Sequence, residues 1–403
     1  MKNKLHKSYE LPKRLLCTIL VLIVFMIGRN IVVYGVDVSS LESQQENVQN
    51  ILISLVSGDK YQCSIFALGI TPYITSSILL MLVMVFFPKD VKKRISKQKT
   101  ELVTTILSIV IAVFYAISRA MQLEYVKNNS YFDSNGLLII AILSFTIGAL
   151  IIIGLIRINK DHGIGQQLPI IVFNIVDSLY TTISGNYNSI NANLLMICAA
   201  VVVIAIVMEN TEVQIPIQRV SIDNEYANKN YLAFKLNPIG VMPIMFSTTI
   251  FILVKYLIYI LGEIFPNTYF LVWASIHMNM TETFGIVSYL VIVILFTILF
   301  SFLMLSPSDL ARNLQRAGDS VVNVYAGKST LRYFRLILLL LSIVSGFVMA
   351  SCMGISLLMS LQTDMSQQLA MLPSSLMMLV SMFANLFSEI NGYRKFDSYK
   401  FFI

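Results

Sequence analysis

The residue types that usually carry catalysis are sparse in this chain of 403 residues and form no catalytic pattern. The three histidines stand alone, and the four cysteines are scattered without a CxxC pair. No phosphate-binding glycine loop and no HExxH motif occurs. We therefore expect no catalytic residues, no metal site and no cofactor, and the chain is not expected to be an enzyme.

Two acidic residues stand out within apolar stretches, Asp177 and Glu389. An ion-coupled transporter usually places several acids in the membrane as a relay. One clear aspartate is weak support for such a relay. Asp177 is more simply interpreted as a residue of an outer funnel, or as the partner of Lys255 or Arg119.

One pattern of glycine, proline and hydroxyl residues occurs twice in apolar surroundings. Gly69, Pro72 and Ser76 recur 171 residues later as Gly240, Pro243 and Ser247. An interrupted apolar span usually lines a cavity, because lipid offers no partner to backbone groups that the interruption frees. A matched pair of such spans in two halves of a chain indicates a transport pathway. With the neighbouring hydroxyls, the set is Gly69, Pro72, Thr75, Ser76, Gly240, Pro243, Ser247 and Thr248.

The composition indicates that membrane-spanning elements position these residues. The chain is 56% hydrophobic and 13% charged, whereas soluble domains are about 25% charged. It is therefore a polytopic membrane protein, in contact with the lipid bilayer. Its net charge of +7 is explained by membrane topology, and no nucleic-acid partner is expected.

Ten apolar spans are long enough to cross a bilayer as helices. If the N-terminus is cytosolic, the inner segments hold 24 of the 29 lysines and arginines. The positive-inside rule therefore predicts cytosolic N- and C-termini. The spans lie near 15–35, 66–87, 102–121, 137–156, 167–184, 192–208, 238–261, 285–305, 335–358 and 372–391.

Five spans fall in each half of the chain, so the two halves enter the membrane in opposite directions. We predict an all-α fold of two inverted five-helix halves, 1–185 and 186–403, with a pathway at their interface. Two inner loops, 209–237 and 306–334, are far longer than a connection needs. Their mixed polar and apolar character predicts folded projections that dock a cytosolic partner.

The outer segment before the first Gly/Pro stretch predicts a short amphipathic helix near 48–57. Its apolar residues recur at helical spacing and Ser57-Gly58 ends the run. A helix lying on the outer membrane surface is an alternative interpretation. The apolar face consists of Val48, Ile51, Leu52, Leu55 and Val56.

Four motifs resemble those of the SecY/Sec61 protein-conducting channels, in order and over nearly the whole chain. SIFALGITPYITSSI, from Ser64, is similar to the second helix of that family, and HGIGQQLPIIVF, from His162, to its GIGNG turn and fifth helix. FKLNPIGVMPIMFSTTI, from Phe234, is similar to its seventh helix. SPSDLARNLQRAGDSV, from Ser306, resembles its last long cytosolic loop.

This resemblance implies roles for the residues above. The 48–57 helix would be a plug that closes the channel from outside, and the two Gly/Pro spans would form a lateral gate. A hydrophobic constriction would be lined by Ile74, Ile78, Leu168, Val172, Met242 and Met378. A SecA motor ATPase would dock on the long inner loops, with candidate contacts at Arg219, Arg312, Arg316, Tyr325, Lys328 and Arg332.

Several departures from the family lie on the motor-facing side. Tyr325 stands where a GIRPG-type tip has arginine, and Val213-Gln214 replaces an Arg-Arg pair. The chain is thus most similar to the accessory SecY type of Gram-positive bacteria. That resemblance implies a plasma-membrane channel that works with accessory SecA and small accessory membrane or secretion proteins. Its preprotein substrate would be a serine-rich repeat glycoprotein adhesin. A housekeeping SecY and, remotely, an inverted-repeat ion-coupled solute transporter are the alternatives.

Overall fold

The structure is a computed structural model and describes most of the chain. The described residues are 10–36, 63–87, 96–121, 123, 125, 134–187, 192–219, 230–240, 242–265, 268–279, 282–325, 327–362, 369 and 371–399.

Within these residues the chain forms twelve helices and three short strands. The helices are α1 Glu10–Arg29, α2 Thr71–Phe86, α3 Lys97–Ala120, α4 Ser134–His162, α5 Leu168–Gly185, α6 Ala192–Asn210, α7 Met242–Ile264, α8 Tyr269–His277, α9 Thr283–Leu305, α10 Pro307–Ala317, α11 Lys328–Gln362 and α12 Leu372–Tyr399. The strands are β1 Glu212–Arg219, β2 Tyr231–Lys235 and β3 Asp319–Val321.

Each of the ten predicted spans coincides with one helix, which confirms the helical membrane class. Among the described residues, seven helical segments are long and apolar enough to cross a membrane by length and composition. They correspond to α1, α3, α4, α5, α6, α11 and a stretch that runs through α9 and α10. The short helix α8 and the three strands were not predicted.

The chain divides into two compact units, one of residues 1–185 with 385–403 and one of residues 186–384. In the first unit α1 packs on α4 and α5, while α3 packs on both α2 and α4. Alanines 112, 116 and 120 recur every four residues along the buried side of α3. Phe145 on α4 belongs to the same core, flanked by Ala141 and Ala149. Small residues at this spacing let membrane helices approach closely where water drives no association.

The C-terminal part of α12 belongs to the first unit and holds the start of α1. The carboxylate of Asp397 accepts hydrogen bonds from the backbone N–H groups of Glu10 and Leu11 at 3.2 and 3.0 Å. An acidic side chain there satisfies backbone donors that a helix start leaves without partners. Glu389 likewise accepts a hydrogen bond, at 3.0 Å, from the backbone N–H of Gly165 in the turn before α5.

The second unit combines membrane helices with a folded projection. Helix α9 packs on α7 and α11, and α8 packs on α7. The described residues of the loops 209–237 and 306–334 include an antiparallel sheet in the order β2-β1-β3, with Ile215 opposite Leu232 and Ile217 opposite Val321. The described part of these loops is folded, and we call it the projection; its sheet was not anticipated, and its cytosolic location stays a prediction. The projection has its own core, which contains Ile215, Phe234, Ala311, Val321, Phe334, Leu338 and Leu341.

Candidate functional site

The two Gly/Pro stretches adopt the same backbone geometry in their separate units. Gly69 has a φ of +51° and Gly240 a φ of +69°, the left-handed region that glycine enters without a Cβ clash. A helix begins two residues later in each case, and proline is its second residue, at 72 and 243. Proline is favoured there because a first-turn N–H has no helical partner. The interruption predicted near one end of each span is therefore a helix start.

The hydroxyl groups of both stretches are buried and bonded within their own helices. Ser76 donates to the carbonyl of Tyr73 at 2.8 Å, and Ser247 donates to that of Pro243 at 2.6 Å. Thr75 and Thr248 make equivalent bonds to carbonyls of the preceding turn. Small hydroxyl residues that bond their own backbone permit close helix packing at low polar cost. These hydroxyls are therefore satisfied within their own helices, and their role in a lateral gate stays a prediction.

Replacing Gly240 with alanine is expected to destabilise the protein. A Cβ at positive φ costs about 1–2 kcal/mol, and this residue sets the start of α7. The thermal unfolding midpoint of the purified protein should therefore fall. Gly154, inside α4 with open space around its Cα, is the control, because alanine there should be neutral or stabilising. Equal midpoints for the two variants would contradict this account.

The six residues predicted to form a constriction lie on four helices. Ile74 and Ile78 are one turn apart on α2 and are both buried. On α5, Leu168 and Val172 have the same spacing, and Val172 is buried. Each pair therefore shares a helix face. In the second unit, Met242 is half-buried at the start of α7 and Met378 is buried in α12. Their role in sealing a pore stays a prediction.

The predicted plug, with Val48, Ile51, Leu52, Leu55 and Val56, lies outside the described residues. Its helical character and its role also stay predictions.

The candidate docking residues lie on or beside the folded projection of the second unit. Arg312 and Arg316 are exposed on α10, while Ala311 on the opposite side is buried in the core of the projection. Tyr325 is 90% exposed in the turn before α11. Arg219 ends β1, where its backbone is opposite Asp319 of β3. Lys328 and Arg332 are exposed on α11 and line a cavity with Val324, Ser329, Tyr333 and Leu336.

The predicted partners of Asp177 were wrong. Its carboxylate forms an ion pair with Arg29, at 2.5 Å between Nη2 and Oδ2. This partner is close because α1 packs on α5, a contact that no spacing along the sequence reveals. Lys255 instead donates a hydrogen bond to the Asn279 side chain at 2.6 Å. The pair satisfies both charges, which supports a structural role for Asp177.

Exchanging Asp177 for asparagine is expected to leave transport largely intact. Asparagine keeps an acceptor oxygen for Arg29, and a partly exposed ion pair contributes at most about 1 kcal/mol. Transport and membrane level should be measured together, with Asp177→Lys as the comparison that places two cations side by side. Lost transport by Asp177→Asn at a normal membrane level would contradict the structural role.

A buried carboxylate at the end of α6 was not predicted from the sequence. Glu209 is 3% exposed and accepts hydrogen bonds from Asn237 and Ser381. The available signals were its position at the end of an apolar span and the asparagine in the FKLNPIG stretch. Among the described residues, no cluster of His, Cys, Asp or Glu could hold a metal ion.

Comparison with known proteins shows which family has this architecture. The SecY family model matches residues 64–387, well over half of the chain. An accessory Sec system protein translocase subunit SecY2 of Leuconostoc gelidum subsp. gasicomitatum is 27% identical, with 97% of this chain and 96% of the relative covered. The protein translocase subunit SecY of Streptococcus gordonii is 28% identical, with 96% and 94% covered.

Solved structures support the same assignment at the level of the fold. A structure described as a protein conducting channel superposes with a TM-score of 0.69, at 13% identity, over 97% of this chain and 94% of the other. Sec61 in the canine ribosome-channel complex superposes with a TM-score of 0.60, over the same shares of the two chains. With the family model matched from the first Gly/Pro stretch into the last helix, the chain belongs to the SecY family of multi-pass membrane channel proteins.

Proposed function

We propose that this protein is the channel subunit of an accessory protein translocase in a bacterial plasma membrane. The observation that carries the proposal is the matched helix start at Gly69–Pro72 and Gly240–Pro243, one in each unit of a SecY-family fold. Relatives named SecY2 in Leuconostoc and in Streptococcus agalactiae favour the accessory type. Tyr325 and Val213-Gln214, the departures on the motor-facing side, also favour it.

In the proposed mechanism the channel is passive, and α2 and α7 are the two walls of a lateral gate. Apolar side chains at the constriction exclude ions by dewetting and deform around a passing chain. The segment 48–57 closes the outer side at rest. Both termini are cytosolic, because this orientation places most basic residues inside. The preprotein passes through unfolded. For a channel of the accessory type, this preprotein is a serine-rich repeat glycoprotein adhesin.

A cytosolic SecA-type ATPase supplies the energy and docks on the projection of the second unit. Support comes from the exposed Arg312 and Arg316 on α10, whose other side is held by the projection's core. Guanidinium groups on a rigid helix favour recognition of carboxylates on a partner. Small accessory membrane or secretion proteins complete the translocase.

Reversing both charges, Arg312→Glu with Arg316→Glu, is expected to weaken motor binding. Loss of two charged contacts should raise the Kd about tenfold or more, since 1.4 kcal/mol corresponds to a factor of ten. Binding of the purified accessory SecA to the channel in nanodiscs provides the measurement. Arg394→Glu, an exposed reversal near the end of α12, controls for the change in net charge. An unchanged affinity would place the docking site elsewhere.

Deletion of the gene followed by secretion profiling tests the function. The accessory assignment predicts viable cells that fail to export one serine-rich adhesin, with recovery when the intact gene is restored. Lethality with a general secretion failure would instead establish a housekeeping SecY. That second candidate is favoured by the 28% identity to the Streptococcus gordonii SecY, which is no lower than the identity to the SecY2 relative. Membership of the SecY family sets the solute transporter aside.

A further inference from the structure

The second unit contains a buried polar link that the proposed channel mechanism leaves unused. One oxygen of Glu209, Oε1, accepts a hydrogen bond from Asn237 Nδ2 at 2.9 Å and another from the Ser381 hydroxyl. All three side chains are at most 3% exposed. Asn237 continues the link, because its Oδ1 accepts the backbone N–H of Gly240 at 3.2 Å. A carboxylate this deeply buried requires such donors, since removing a charge from water is costly.

The link lies where the folded projection joins the membrane helices. Glu209 is near the end of α6, and β1 begins at Glu212. β2 ends at Lys235, just before Asn237. A backbone hydrogen bond of 2.9 Å from Leu236 N–H to the Thr211 carbonyl ties the two strand ends together. Both ends of the β1–β2 hairpin therefore converge on the Glu209 carboxylate.

The same link reaches the start of α7. Asn237 Oδ1 accepts a hydrogen bond from the N–H of Gly240, the glycine with a φ of +69°. Helix α7 begins two residues later, at Met242. A displacement of the hairpin therefore either moves this helix start or breaks a hydrogen bond in the series Glu209–Asn237–Gly240. Hydrogen bonds to charged groups are stronger than those between neutral groups, and breaking them leaves buried donors without an acceptor.

We propose that Glu209 is a coupling residue that transmits displacement of the β1–β2 hairpin to the start of α7. With Asn237 and Ser381 it makes the hairpin root and the helix start one rigid element. The inference rests on the proposed function, because it assigns the hairpin to the motor side and α7 to the gate. Glu209 is a positioning residue, and it is not expected to contact the motor or the preprotein.

The experiment follows an environment-sensitive fluorophore at residue 242. The label is attached to Met242→Cys in a Cys17→Ser background, because the other three cysteines are buried. Purified accessory SecA is added to the channel in nanodiscs, and both the Kd and the change in fluorescence are recorded. In the otherwise unaltered protein, motor binding should change the fluorescence.

Glu209→Ala and Ser381→Ala should leave the Kd within about twofold but lose most of the fluorescence response, because each removes a charge-assisted hydrogen bond of the link. Ser375→Ala is the matched control. Ser375 is buried on the same helix, but its hydroxyl bonds the Leu372 carbonyl within α12. The control should respond normally. Ser381→Ala removes one hydroxyl and keeps the test decisive even if Glu209→Ala fails to accumulate.

The outcomes separate the inference from the function on which it rests. A full response in Ser381→Ala, with normal binding, overturns the coupling role alone. A channel without these substitutions that binds no motor overturns the proposed docking, and the coupling role falls with it. A second readout needs no motor: hydrogen exchange at 236–242 should accelerate in Ser381→Ala and stay unchanged in Ser375→Ala. Unchanged exchange in Ser381→Ala would overturn the rigid link itself.

Discussion

A disulfide between Leu52→Cys and Ile74→Cys is expected to abolish export. Segment 48–57 is predicted to be the plug and to lie on the outer side, and Ile74 lies in the first turn of α2, which follows that outer segment. A disulfide allows only about 3.5–4.5 Å between the two Cβ atoms, so the plug could not leave the pathway. Export of the proposed adhesin substrate should fall to background under oxidising conditions and recover after reduction.

Each single cysteine variant serves as a control, because it carries the same change in side-chain volume without the cross-link. The experiment uses a Cys17→Ser background, because Cys17 is half-exposed whereas Cys63, Cys198 and Cys352 are buried. Normal export from fully cross-linked protein would remove segment 48–57 from the gating role. In that event the alternative, a helix on the outer membrane surface, would describe it better.

Replacing Ile78 with asparagine is expected to open an ion leak in the resting channel. An apolar constriction excludes ions because water leaves it, and an amide at this position would hold water there. Lowering the barrier by about 1.4 kcal/mol raises the flux about tenfold. Conductance of the purified channel in planar bilayers provides the measurement.

Leu79→Asn is the control for this leak. Leu79 neighbours Ile78 on α2 but is 47% exposed, whereas Ile78 is 4% exposed, so the two side chains occupy different faces of one helix. The control should show the low resting conductance of the unaltered protein. A leak of equal size from both variants would show that the substitutions loosen the helix generally, and Ile78 would then lose its place in the constriction.

The two predictions address different barriers in the same pathway. The cross-link tests whether a movable outer segment must leave before a chain can pass. The asparagine substitution tests whether the narrow part seals by its apolar character. If the cross-linked protein still exports while Ile78→Asn leaks ions, the plug role would be lost, but the apolar constriction would still be the seal against ions.

Much of the architecture was predictable because it depends on local chemistry. Ten apolar spans coincide with helices, since lipid forces each span to satisfy its own backbone hydrogen bonds. An interruption of two spans at Gly69–Pro72 and Gly240–Pro243 was also predicted, and the structure shows a helix start at each, with both glycines at positive φ. Only glycine adopts that conformation freely, and proline suits a first helical turn. The i, i+4 spacing of Arg312 and Arg316 places both on one face of α10, and the structure shows that this face is exposed.

Contacts between distant residues were decided only by the tertiary structure. Arg29 pairs with Asp177, which lies 148 residues away, although Lys255 and Arg119 were equally reasonable partners. Asp397 caps a helix start 387 residues away, and Glu209 bonds Ser381 across 172 residues. A lone acidic residue has the same appearance in a sequence whichever donor faces it. Its partner is set by which helices pack together, and packing depends on the shapes of whole surfaces.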